Sequence, residues 1–270
     1  MRIAVVAPSC TLKLDAAAAV KGIVAARGDA DLLIHPQCFL SDGHFAGADA
    51  ARLAAFREVA ADPAIDAVWF ARGGYGSNRI AAAAAADLPP AALTKRYVGY
   101  SDGGFLLAAL HRAGAPVAHG PMVQDVARSG GEKAVGRTLD WLAGGSPEAL
   151  EPGLGGPAFA FNLTVLSSLL GTALEPEWNG AELLIEDLAE HHYRIDRMMF
   201  HLTGQAGVRR LRGIRMGRLS DIPDNEPRWS GDAEAIVRDW CGRSGIPYLG
   251  HADIGHDAAN RIVPFPLRDG

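Results

Sequence analysis

Through its first 145 residues the chain alternates short apolar runs with longer, alanine-rich amphipathic segments, and few folds accommodate that alternation. A short run of β-branched or aromatic residues can be buried on both faces as a strand, and an amphipathic segment supplies a helix with one apolar side. Repeated in order, the two give a parallel sheet covered by helices. Strands are expected at residues 2–8, 31–36, 67–71 and 97–101, each followed by turn chemistry. Helices are expected near 15–27, 48–61 and 80–86, then near 103–113 and 132–143. The six consecutive alanines at 81–86 are helix-forming composition.

The composition changes at 144–157, GGSPEALEPGLGGP, which reads as a linker. Beyond it the order is less regular: a helix at 162–170, a strand at 182–186, a helix at 193–202, a strand at 213–217, a helix at 232–243, and short strands near 248–251 and 261–265. The 270 residues suffice for two compact domains. The expected fold class is therefore α/β: a parallel-sheet domain at 1–143, a linker at 144–157, and a smaller mixed domain at 158–270.

The formal net charge is -5, and the 26 Lys and Arg residues are scattered rather than gathered into a basic run, so nucleic acid is not an expected partner. Asp15 interrupts the N-terminal apolar run where a signal peptide would continue, and no segment approaches the roughly 20 apolar residues that span a bilayer. A protein with no membrane partner, resident in the cytoplasm, is expected. Cys10, Cys38 and Cys241 are an odd set without metal-ligand spacing, which fits free thiols in a reducing compartment.

Chemistry concentrates at Gly99-Tyr100-Ser101-Asp102-Gly103, a G-x-S-x-G between a strand and an apolar helix. There a serine hydroxyl projects over the sheet edge, and the helix N-terminus offers unpaired N–H groups to an oxyanion; a helix N-cap is the plainer role for such a serine. A nucleophilic serine needs a base and a carboxylate to orient it. Among nine histidines, His256 is favoured because it sits in a Gly-flanked loop, GHADIGHDAANRIVPFP, with His119 and His251 as competitors. Glu186 ends the strand AELLIE and can point into a cleft. The turn Ala71-Arg72-Gly73-Gly74-Tyr75-Gly76-Ser77 lacks the pattern of a phosphate loop and suits a donor to an oxyanion or a carboxylate. Arg72, Gly73 and Tyr75 are the expected substrate contacts within it. His191 and His192 are adjacent and do not converge on one ion, so neither a metal nor another cofactor is expected. The order Ser, Glu, His also occurs in α/β-hydrolases, so these residues alone leave the fold open.

Several segments together resemble the LD-carboxypeptidase family, which includes murein tetrapeptide carboxypeptidases and microcin C immunity peptidases. They are VAPS at 6–9, ARGGYGSNRI at 71–80, GYSD at 99–102, HGPM at 119–122, NLTVLSSLLGT at 162–172, IEDLAEHHYRIDRMMFHL at 185–202 and GH at 255–256. The resemblance implies a serine peptidase with Ser101, Glu186 and His256 as its triad and amides of Asp102 and Gly74 as the oxyanion hole. It also implies a flavodoxin-like N-terminal domain, a small β-rich C-terminal domain and a homodimer. The activity it implies is release of the terminal D-alanine from murein tetrapeptides in cell-wall recycling. The alternative within the family is cleavage of a peptidyl-nucleotide, which calls for a stacking aromatic near the cleft, with Trp69, Tyr75 and Trp178 as candidates. An α/β-hydrolase-like esterase and a non-catalytic peptide-binding protein are the alternatives outside it. Phe161 stands where the family usually has Gly, the chain is short for the family, and GHDAANRIVPFP replaces the usual GHG loop.

Overall fold

The computed structural model describes residues 1–267. The first half runs β1 (Arg2–Val6), α1 (Leu14–Arg27), β2 (Asp31–Ile34), α2 (Asp49–Ala61), β3 (Ala67–Phe70), α3 (Ser77–Ala85), α4 (Pro90–Leu93), β4 (Arg96–Gly99), α5 (Gly104–Arg112), β5 (Val117–His119) and α6 (Gly131–Gly144). Its strands lie in the order β2-β1-β3-β4-β5, every neighbour parallel. This is the flavodoxin-like arrangement, whose strand order reverses between β1 and β3.

Period-two side chains bury the sheet on both faces. Ala4, Val6, Val68 and Phe70 join one core with α2, α3 and α5, while Ile3, Val5, Ala67 and Trp69 join another with α1 and α6. β5 was not expected from the sequence, because three residues are too few to display a period.

The second half is more regular than its sequence suggests. It runs β6 (Ala158–Asn162), α7 (Leu163–Leu169), β7 (Glu182–Leu188), α8 (His192–Gly204), β8 (Gly213–Ser220), α9 (Ala233–Ser244) and β9 (Tyr248–His251), and its four strands form a parallel sheet in that order. Asn162 and Asp232 cap α7 and α9, each side chain accepting a backbone N–H. The two sheets share a core: Phe159, Phe161, Leu183 and Ile185 belong to the same apolar cluster as Leu106 and Phe70. A Cβ at Gly104 in α5 would lie 3.1 Å from Val165 in α7, so the two halves touch closely there.

Two segments depart from a simple division of the chain. Ala149 and Glu151, within the expected linker, are buried, and Glu151 is held by Arg215 at 3.0 Å and by the Asp253 N–H at 2.9 Å. The expected strand near 261–265 is β10 (Val263–Pro264), and it leaves the second half to pair antiparallel with β5 in the first sheet. Val263 is fully buried there.

Candidate active site

Ser101 lies just beyond β4 and opens a single 3-10 turn that leads into α5. Its φ of 54° is left-handed, a conformation that costs a non-glycine residue about 1–3 kcal/mol and persists only where the surroundings impose it. The flanking glycines are demanded by Phe70: a Cβ would meet its ring at 2.5 Å from Gly99 and 3.0 Å from Gly103. Asp102 ties the turn to its neighbours. Its carboxylate accepts from the Ser77 N–H at 2.8 Å and from the Ser9 hydroxyl, and its carbonyl accepts from the Ser77 hydroxyl. The ends of β1, β3 and β4 are thereby joined around Ser101.

His256 Nε2 lies 3.0 Å from Ser101 Oγ, and its Nδ1 lies 2.6 Å from Glu186 Oε2. Glu186 is fully buried on β7, where its second oxygen has no hydrogen-bond partner among the described residues. A bulge places the histidine beside it. Ile185 pairs with Met216 and Asp187 with Leu219, so Gly217 and Arg218 of β8 oppose Glu186 alone. From that bulge the Arg218 N–H donates to the Ile254 carbonyl at 2.9 Å, and the Arg218 guanidinium pairs with Asp257, hooking the loop on both sides of His256. Burial of the imidazole opposes its charging, but the charge and hydrogen bond of Glu186 outweigh it and leave the His256 pKa raised.

The rival histidines stand elsewhere. His251 is exposed and faces Glu234 at 3.4 Å. His119 is buried, and burial pushes its pKa down to about 4. Its Nε2 meets Asn260 Oδ1 at 3.2 Å, and because that oxygen also accepts from the Gly255 N–H at 3.2 Å, His119 is the donor. It therefore braces the His256 loop. The Tyr100 ring fills the space between the two histidines, with centroids 5.4 Å from His119 and 4.9 Å from His256, and its hydroxyl donates to Asp125 at 2.9 Å.

The Gly-rich turn closes over the serine. A Cβ on Gly73 would lie 3.1 Å from Ser101 Oγ, and Gly74, at φ 106°, packs against Cys10 with no room for a side chain. Arg72, Gly73, Gly74, Tyr75 and Asp102 all line a cleft of about 940 Å³ that Ser101 and His256 share with Asn162 and Asp187 of the second sheet and Thr164 of α7. It opens at the C-terminal ends of both sheets, where open α/β folds bind ligands. Of the three aromatic candidates, Trp69 and Trp178 are buried core residues, and Tyr75 alone lines the cleft. Sequence reasoning missed Asn260, Asp125 and Asp187. Asp187 accepts from Asn162 at 2.7 Å and from the Thr164 N–H at 2.9 Å; burial, reinforced by Glu186, pushes its pKa up to about 6. No local pattern distinguishes these polar residues from surface ones; only their burial does.

Two family descriptions match the chain: the LD-carboxypeptidase N-terminal domain over residues 3–120 and the LD-carboxypeptidase C-terminal domain over residues 155–268. A putative carboxypeptidase of Synechocystis sp. is 30% identical over 97% of this chain and 88% of its own length. The murein tetrapeptide carboxypeptidase of Pseudomonas aeruginosa is 30% identical over 75% of this chain and 71% of its own. Among solved structures, the muramoyltetrapeptide carboxypeptidase from Oxalobacter formigenes superimposes with a TM-score of 0.83 at 25% identity, covering 97% of this chain and 92% of that one. The microcin C7 self-immunity protein MccF shares the fold, with a TM-score of 0.79 at 17% identity over 98% of this chain and 90% of its own.

Proposed function

Because the chain belongs to the LD-carboxypeptidase family, we propose that it is a serine-type carboxypeptidase that releases the terminal D-alanine of murein tetrapeptides. The observation that carries this reading is the unbroken hydrogen-bond chain from Ser101 and His256, which line the cleft, to buried Glu186, with spacings of 3.0 and 2.6 Å.

In this reading neutral His256 keeps its proton on Nδ1, donated to Glu186, and presents the Nε2 lone pair to the Ser101 hydroxyl. Ser101 Oγ attacks the carbonyl of the last peptide bond as Nε2 takes the hydroxyl proton, and Glu186 stabilises the imidazolium that forms. Amides of Asp102 and Gly74 hold the oxyanion. The imidazolium then protonates the leaving D-alanine nitrogen, and water hydrolyses the acyl-enzyme by the same relay. Arg72, Gly73 and Tyr75 border the departing residue. His119, buried on the first sheet and engaged with Asn260, is not the base, which argues against an α/β-hydrolase-like site.

The proposal includes cytoplasmic residence, supported by three buried cysteines that remain free thiols. It also includes a homodimer, to be checked by a solution mass of twice the 28.4 kDa chain. Tyr75, 47% exposed at the cleft, favours one second reading: a stacking surface for the base of a peptidyl-nucleotide. Incubation with murein tetrapeptide and, in parallel, with a peptidyl-adenylate separates the two by product mass. Release of D-alanine supports the first reading, turnover of the adenylate alone supports the second, and turnover of neither defeats both.

A further inference from the structure

Most charges in the cleft are already matched within the protein. Asp102 is engaged by Ser77 and Ser9, Arg128 pairs with Asp125 at 2.8 Å, and Glu190 pairs with Arg194 at 3.1 Å. Lys13 and Arg72 also line the cleft, and neither forms an ion pair among the described residues. The Arg72 guanidinium donates to the Thr11 carbonyl at 3.2 Å, which ties it to the loop after β1, the loop that also carries Lys13. The Lys13 backbone N–H is fixed in turn by Gln124 at 3.0 Å. This corner adjoins the nucleophile, because Arg72 directly precedes Gly73, the residue whose Cβ would lie 3.1 Å from Ser101 Oγ.

A pair of cations without ion-pair partners among the described residues, lining the same cleft as the serine, calls for an anionic group on the substrate. In a peptide cleaved at its last bond, the terminal carboxylate is one residue, about 4 Å, beyond the scissile carbonyl. We infer that Arg72 and Lys13 form the subsite for the substrate's C-terminal carboxylate and so restrict the enzyme to removing a single terminal residue. The inference rests on the peptidase reading only for the choice of peptide. Arg72 supplies planar donors suited to a carboxylate, and Lys13 adds a mobile point charge at the rim.

The test measures binding, separately from turnover. In the Ser101→Ala protein, calorimetry compares murein tetrapeptide with the same peptide ending in a carboxamide. The acid is expected to bind roughly 10- to 100-fold more tightly, the range for charge-assisted hydrogen bonds. Arg72→Gln and Lys13→Gln, added singly, each remove most of that difference and leave the carboxamide affinity unchanged. Among the described residues the Lys13 side chain makes no hydrogen bond, so Lys13→Gln remains informative even if Arg72→Gln disturbs the Thr11 loop. Equal affinity for acid and amide, or an equal loss for both in the variants, overturns the assignment. A wild-type protein that prefers the acid yet releases no D-alanine overturns the proposed reaction and leaves the carboxylate subsite standing.

Discussion

Ser101 holds a positive φ between two glycines that Phe70 leaves no room to replace, and Asp102 ties the turn to Ser77 and Ser9. That expense is worthwhile only if the hydroxyl must sit against His256. Ser101→Ala and His256→Ala are each expected to lower tetrapeptide turnover by several orders of magnitude, with the double variant little worse than either single one. Additive losses in steady-state kinetics would show that the two residues act independently. The pH dependence follows from the raised pKa of His256. The base must be neutral, so kcat/KM should fall as pH drops through a value above the ordinary histidine range of about 6.5. Glu186→Gln removes the group that raises this pKa while the opposing burial remains. The acid limb should then move to lower pH, with turnover reduced about 10²- to 10⁴-fold. A limb that stays in place would remove Glu186 from the relay. His119, at about 4, titrates too low to be mistaken for it.

Among the elements, the pairing of β7 with β8 decides where His256 stands. Glu186 reaches His256 because the β8 bulge lets the 252–262 loop cross against Gly217, where a Cβ would come 2.5 Å from Ile254 Cγ1 and 3.0 Å from the Ile185 carbonyl. Gly217→Ala is therefore expected to push the loop outward, reducing kcat by at least about 100-fold, at a stability cost of about 1–3 kcal/mol from overpacking. Denaturant unfolding and kinetics measured on one preparation check both parts, and an active but destabilised variant would refute the positioning argument. Strand pairing was only partly legible in the sequence. The buried hydrophobic strands β1, β3 and β4 announce themselves by composition. β5 has three residues, and β6, read as AFAFN beside a Gly- and Pro-rich stretch, alternates alanine with phenylalanine too briefly to stand out.

Over the whole molecule, one apolar cluster runs from the first sheet through α5 and α7 into the second, and β10 closes the circuit by returning to β5. Two sheets joined in this way should unfold together. Calorimetry is expected to show a single transition with coincident optical probes; two resolved transitions would mean that the halves are stable separately. The catalytic proposal assigns every proton transfer to side chains, and among the described residues no group of three or more His, Cys, Asp or Glu could hold a metal ion. Turnover should then be unchanged by EDTA, and a loss that zinc restores would defeat the serine mechanism.

The residues by themselves determined what local physics controls. Alternating apolar runs and amphipathic segments dictate strands and helices, and Gly-x-Ser-x-Gly between a strand and a helix dictates a sharp turn with an exposed hydroxyl. Tertiary packing decided the rest. Ser101 and His256 are 155 residues apart and Glu186 and His256 are 70 apart, and nothing in their local sequence encodes spacings of 3.0 and 2.6 Å. Those distances depend on a bulge, a shared core and a returning strand. These form because β7, β8 and the loop bury one another's surfaces, an interaction between distant segments that no periodicity along the chain records.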